Sequence, residues 1–477
     1  MVPAAKANLV KAGMEDLGFT VLEEHVERMR MRMRSPTELH SHGHLQIQIA
    51  PKKEATDSYQ AYNGVLTADY SNGGYLQMIR ESGRGFRSGS GGAAKPRGII
   101  FNVKLFGAKP DGRKDNTQAF MRTWVAACNS KDQARVLIPE GIYRIGPVIF
   151  QGPCNSPDPI IVQVKGTVKA TDDISEYPSP EWVSFEKLDG VILTGGGTFD
   201  GQGQAVWQYN DCSSNAYCQL LPTSIKLSSV SNAIIRRIKS INSKSFHIGI
   251  TNGKNIKVRS VDIVAPEDSP NTDGIHISRS FGVSISKAVI GTGDDCISIG
   301  QGSNNVTISK VTCGPGHGIS VGSLGKYPDE QDVNGITVKN CTLVNTDNGL
   351  RIKTWPGSPP SQASNIVFQD IIMENVSRPI IINQQYCAST SSCTNKEPSN
   401  VKISNVFFQN IRGTSASDVA VKINCSSAVP CEGLQLFDIN LVPIAPTTDS
   451  TTPSAVCSNA KISFGGVQVP EPCTSSR

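Results

Sequence analysis

Asp273, Asp294, Asp295 and His317 stand in three short strings: NTDGIHI at 271–277, GDDCISI at 293–299 and GHGISV at 316–321. Three carboxyls and one imidazole could deliver a proton to a leaving oxygen and activate a water, which is general acid–base hydrolysis. Like charges in one patch raise the pKa of at least one member, so a proton can be kept on a donor. Which carboxyl keeps it belongs to the coupled group rather than to a residue. A lone GDD would read as an Asp-rich turn. The spacing argues otherwise, because Asp273, Asp295 and His317 recur at intervals of 22 residues. The string NGLRIKTW at 348–355 continues the phase and adds two cations, Arg351 and Lys353.

The elements that must hold these residues are legible in the same strings. Ile275/Ile277, Ile297/Ile299 and Ile319/Val321 alternate with His276, Ser298 and Ser320, the period of a half-buried strand. If successive units coil so that each strand lies on the last, equivalent positions sit about 4.8 Å apart. Asp273, Asp295 and His317 then form a ladder on the outside of one sheet, with Arg351 and Lys353 pointing outward beside it. A second series of strand-like runs starts at 255, 282, 305, 335, 365 and 400. Self-similarity at this period, with Asn/Gly turns and almost no helix, predicts an all-β solenoid, a parallel β-helix. Such a coil needs a plug. Asp115-Asn116-Thr117 followed by Phe120, Met121, Trp124, Val125 and Cys128 predicts an N-capped amphipathic helix that supplies it.

A chain of 477 residues is long for one compact core but ordinary for a solenoid. Its 44 glycines and low charged (18%) and aromatic (6%) fractions suit short strands and turns. A net charge of +5 leaves no nucleic-acid footprint. The first 98 residues hold six of the eight Met, four of the seven His and no Cys. We expect 1–98 to be an atypical extension, loosely helical over 7–34 with a Gly/Ser/basic linker at 82–98, and 99–477 to be the functional domain. His40, His42 and His44 read as an exposed polar turn, and no metal is assigned.

All 13 cysteines fall between Cys128 and Cys473. The close pairs Cys212/Cys218, Cys387/Cys393, Cys425/Cys431 and Cys457/Cys473 predict disulfides rather than zinc, since no CxxC pair occurs. Cys296 and Cys313 are expected to bridge coils carrying the acids; the odd count leaves one thiol free, expected to be Cys341 inside a strand pattern. Sequons at Asn305, Asn340, Asn375 and Asn424 fit a secretory route, although strand-like surroundings argue against their use. Residues 1–30 show no signal peptide, and no stretch reaches transmembrane length. The cysteines point outside the cell and the N-terminus does not.

With NTD, GDD, GHG and RIK in this order, the chain resembles plant polygalacturonases, members of glycoside hydrolase family 28. The likeness runs from FNVKLFGAKPDG at 101–112 to the C-terminal cysteines, and GPGHGISVGSLGKYP, NGLRIKTWPGSP and NQQYC look like the pollen-type exopolygalacturonases. The resemblance implies a right-handed parallel β-helix and hydrolysis of α-1,4-linked galacturonan from the non-reducing end, with inversion and release of galacturonic acid. It implies Asp294 as general acid, with Asp273 and Asp295 holding and deprotonating the water. His317 would tune the acids or bind sugar, and Arg351 and Lys353 would take the substrate carboxylate. Tyr386 matches a substrate-subsite tyrosine, and Asn271 is expected to orient Asp273 or bind sugar. His276 shares the outward phase and receives no role. The expectation is a monomer acting on pectin in the cell wall, with no cofactor, nucleic acid or membrane partner.

Three alternatives stay open from sequence. Endo-cleavage depends on loops at the ends of the groove, which the motifs do not show. A pectate lyase shares the β-helix but uses calcium and a basic arginine, and a non-catalytic pectin-binding β-helix would not need the acids. Spacing alone does not separate an inverting from a retaining site.

Overall fold

The structure is a computed structural model that describes residues 98–212, 215, 218–387, 397–444 and 453–473. Four short backbone pieces precede these: Phe19–Thr20 pairs antiparallel with Ala50–Pro51, and Val65–Ala68 pairs with Leu76–Ile79. The chain divides into two units, Met1–Asn63 and Gly64–Arg477. The extended pair at Phe19–Thr20 departs from the helix expected over 7–34. His40, His42, His44, Cys393 and the linker up to residue 97 lie outside the described residues.

In the second unit, oily alternation builds a stack of parallel strands. Eleven of them form one sheet: β1 (Val148–Gln151), β2 (Glu181–Glu186), β3 (Thr223–Ser228), β4 (Ile248–Thr251), β5 (Ile275–Ser278), β6 (Ile297–Ile299), β7 (Ile319–Leu324), β8 (Asn348–Thr354), β9 (Arg378–Asn383), β10 (Val419–Asn424) and β11 (Ser454–Ser458). Each inner strand hydrogen-bonds to the strand one coil before and one coil after it. The rest of each coil feeds a second, 21-stranded sheet, and the pairings within both sheets are parallel. This is the parallel β-helix expected.

Register follows from what each column buries. Ile225, Ile248, Ile275, Ile297, Ile319, Leu350 and Ile380 are register partners and are fully buried. Each such side chain contributes roughly 1.5–3 kcal/mol by leaving water. The next residue of every strand makes the outward row: Lys226, Gly249, His276, Ser298, Ser320, Arg351, Ile381 and Lys422. A one-residue slip would exchange the two columns, so hydrophobic burial fixes what faces the groove.

The coils turn at two columns of left-handed backbone. Asn232, Asn255, Gly282, Asn305, Gly335, Asn365, Asn405 and Gly433 share one register with φ between 54° and 71°. Asparagine and glycine tolerate this conformation best. The Asn side chains also tie coils together, Asn255 Nδ2 donating to Asn232 Oδ1 at 2.6 Å. Three of the four sequons, Asn305, Asn340 and Asn375, are exposed left-handed residues rather than strand-buried ones.

The end is plugged by α1 (Thr117–Cys128), which buries Ala119, Phe120, Trp124 and Ala127. Trp124 stacks on Phe150 at 4.8 Å, and its indole N–H donates to the Gln151 carbonyl. Two details correct the sequence reading. Asn116 makes no capping bond; its amide serves Lys114 and Arg144 carbonyls, and Asp115 accepts from the Thr117 N–H instead. Val125 lies half exposed on the outer face.

Cysteine pairing follows expectation at Cys212–Cys218, Cys296–Cys313, Cys425–Cys431 and Cys457–Cys473, and adds Cys128–Cys154, which fastens α1 to the first coils. Cys387 is disulfide-bonded. Cys341 is the free, buried thiol among the described residues.

Candidate active site

The acids stand just ahead of their strands. Asp273 precedes β5 and Asp295 precedes β6, in turns that lead each chain into the sheet. The phase read from sequence holds, since Ile275, Ile297 and Ile319 are register partners. The ladder therefore lies along the sheet's entry edge rather than within the strands. The Cys296–Cys313 bridge secures the residue next to Asp295.

Asp295 is almost completely buried, and every partner it has stabilises charge. Its Oδ1 accepts from Arg351 Nη2 at 2.6 Å and Ser320 Oγ at 2.7 Å; its Oδ2 accepts from Lys353 Nζ at 2.8 Å. Arg351 Nε also donates to Ser320 Oγ. Burial pushes the Asp295 carboxyl up, but the two cations and the hydroxyl outweigh it and hold it below the usual carboxylate range. A buried carboxylate gripped in this way stays ionised. Arg351 and Lys353, expected for a substrate carboxylate, thus have Asp295 as their first partner.

Asp273 is pushed the opposite way. Burial, then the neighbouring Asp294 and Asp295, raise its carboxyl well above the ordinary range, against a bond from Ser298 Oγ to Oδ2 at 2.6 Å. Asp273 therefore retains a proton more readily than Asp295. Asp294 is the more open of the three. Its Oδ1 accepts the Asp295 backbone N–H at 2.8 Å and pairs with His317 Nδ1 at 2.9 Å, while Oδ2 has only the Asn271 amide at 3.4 Å. One oxygen is doubly anchored and the other has a single long contact among the described residues.

His317 lies between Asp294 and Asp347, whose Oδ2 is 3.6 Å from Nε2. The bond to Asp294 outweighs burial and raises the imidazole above its ordinary value, favouring the cation. Asn271 has φ near 50° and accepts from the Asn210 amide at 3.1 Å. It reaches Asp294 rather than Asp273, which corrects the expectation. Tyr386 places its ring 5.1 Å from Lys353 Nζ and packs edge-on against Trp355, so it reaches the site through the cation.

Asp273, Asp294, Asp295, His317, Asn271, Arg351, Lys353 and Tyr386, the candidates drawn from the four motifs and NQQYC, meet in this one place. Four participants were not assigned a role: Ser298, Ser320, Asp347 and Asn210. The two serines occupy the outward polar positions of the strand pattern. Asp347 and Asn210 arrive from turns whose paths no periodicity gives. Asp294, Asp295 and His317 offer ligand atoms within 4.8 Å of one another. Both oxygens of Asp295 already face protein cations, which supply the countercharge a metal would bring.

A model for the glycosyl hydrolases family 28 matches residues 128–464. An exopolygalacturonase from Platanus acerifolia is 48% identical over 373 residues, covering 78% of this chain and 97% of that protein. An exopolygalacturonase from Arabidopsis thaliana is 45% identical over 408 residues, covering 84% and 92%. Among solved structures, an exopolygalacturonase from Thermotoga maritima shares the fold, with a TM-score of 0.65 and 20% identity, covering 76% of this chain and 90% of that one.

Proposed function

Because the chain belongs to glycosyl hydrolase family 28, we propose that it is an exopolygalacturonase, removing galacturonic acid from the non-reducing end of α-1,4-linked galacturonan. The observation that carries the chemistry is the division of labour among the three carboxyls. Asp295 is held in the charged form by Arg351 and Lys353, and Asp294 keeps one oxygen, Oδ2, whose one partner among the described residues is the Asn271 amide at 3.4 Å.

In this reading Asp294 protonates the glycosidic oxygen from Oδ2 while His317 and the Asp295 N–H steady Oδ1. A carboxylic acid facing the leaving group and a carboxylate facing water are what glycoside hydrolysis requires. Asp295 and Asp273 hold the water and take its proton, so the sugar is released with inverted configuration. The raised Asp273 carboxyl must give up its proton before it can serve as a base, and Oδ2 of Asp294 is where a proton is useful. Arg351 and Lys353 serve twice, fixing Asp295 and offering their remaining N–H donors to a substrate carboxylate. Tyr386 and Asn271 border that substrate.

Residues 99–477 are proposed as the catalytic domain. The disulfides among the described residues fit an oxidising setting, and the proposed place of action is the plant cell wall. One chain supplies every group of the site, consistent with a monomer.

Digestion of a defined oligogalacturonide followed by NMR tests this. Monomer from the first time points, appearing first as the β anomer, is expected. Early mixed oligomers would make the enzyme endo-acting, unsaturated products would make it a lyase, and a first-formed α anomer would contradict inversion.

A further inference from the structure

The outward row of the floor carries a third cation that the site has not used. Lys226 projects from β3 between the buried Ile225 and Leu227, and its stem crosses the next strand. A Cβ at Gly249 would lie 3.1 Å from Lys226 Cδ and 3.5 Å from Nζ, so the glycine leaves the notch in which the lysine lies. The ammonium comes to rest on Thr251 Oγ1 of β4, at 2.8 Å.

Its surroundings set Lys226 apart from Arg351 and Lys353. Those two are ion-paired to Asp295, whereas no carboxylate among the described residues lies within ion-pairing distance of Lys226. Glu181 acts on it only from further away, and Arg279 adds a like charge. On the side of the acids stands His276, stacked on Phe246 with its Nδ1 on Ser298 Oγ at 2.8 Å. Burial holds this imidazole neutral, so it adds no like charge beside the lysine, and it brings no anion to it. A half-buried ammonium without an anion is costly unless a ligand completes it.

Position along the floor says what kind of ligand. The acids enter at β5 and β6; Arg351 and Lys353 stand on β8, and the Lys226 ammonium stands over β4. Adjacent strands are about 4.8 Å apart, so cations flank the acids on both sides at distances a short chain of uronic acid units would span. We propose that Lys226, seated on Thr251, binds the carboxylate of the sugar unit lying on the β4 side of the scissile bond, and so makes the enzyme select for an unesterified unit there. The proposal rests on the galacturonan reading above.

The test compares wild type, Lys226→Met and Lys226→Arg on trigalacturonate and its singly methyl-esterified isomers. Losing one charge-assisted hydrogen bond should raise KM for the free acid about 10- to 100-fold, with kcat less affected and partial rescue by Lys226→Arg. In wild type one ester position should raise KM, and in Lys226→Met that ester should cost nothing further. Unchanged ester discrimination in Lys226→Met would overturn the proposal. An unchanged or higher melting temperature is expected in Lys226→Met; a loss of fold restored by Lys226→Arg without restored ester discrimination would make the lysine merely structural and overturn it too. Should wild type hydrolyse none of these substrates, the functional reading fails by itself. Calorimetric titration of trigalacturonate then decides the subsite, equal affinity of wild type and Lys226→Met overturning it.

Discussion

At the scale of residues, the site works because equal carboxyls are made unequal. Asp294→Asn keeps the anchoring contacts of a carboxamide but cannot give up a proton. Turnover should fall about 10²–10⁴-fold, with melting temperature unchanged. Asp273 has a folded pKa above its unfolded one, so it binds its proton more tightly when folded. Its contribution is therefore lost as pH rises through the folded value, and it costs stability at neutral pH. Asp273→Asn should melt higher than wild type at pH 7, with the gain vanishing below about pH 3.8, the ordinary aspartate value. It should also be inactive, and a lower melting point at pH 7 would contradict the assignment. The raised imidazole of His317 gives the opposite limb. The stabilisation that its pairing with Asp294 gives the cation is fully present below pH 6.5 and lost as pH rises through the folded value, so activity should fall there, and His317→Asn should abolish that limb of the pH profile.

At the scale of elements, the floor strands were legible because each needed only a local alternation, such as Ile297 and Ile299 around Ser298. The acid phase was legible because hydrophobic columns lock the register that carries it. What was not legible depends on contacts between coils. Asn271 turned to Asp294 because a loop residue, Asn210, takes its other side. The capping role of Asn116 passed to Asp115 because Asn116 is drawn into the neighbouring coil through the Arg144 carbonyl. Lys226 gave no motif at all, since its meaning lies in having no carboxylate within ion-pairing distance among the described residues. The Cys296–Cys313 bridge closes a loop with a sequence separation of 17. Its removal as Cys296→Ala/Cys313→Ala should cost roughly 3 kcal/mol by chain entropy. Chemical denaturation would measure the loss, and because the bridge adjoins Asp295, turnover should fall as well.

At the scale of the molecule, the helix is a scaffold whose length carries a row of cations and acids in fixed order. Residues 99–477 contain the plug, the coils and all site residues. A chain beginning at residue 98 should therefore fold and hydrolyse galacturonan at the full-length rate, and loss of activity with retained β-sheet circular dichroism would refute the proposed domain boundary. Because each coil touches only its neighbours, stability is a sum over adjacent pairs, and opening can begin where one neighbour is missing. The positions of the staples bear on this. Cys128–Cys154 holds the plug to the first coils, and Cys425–Cys431 and Cys457–Cys473 close the last. Between them, Cys296–Cys313 is the bridge beside the acids. Survival among proteases is thus governed by how slowly the two ends fray, much as a rope lasts as long as its whippings, and the working middle is spared the task of guarding itself.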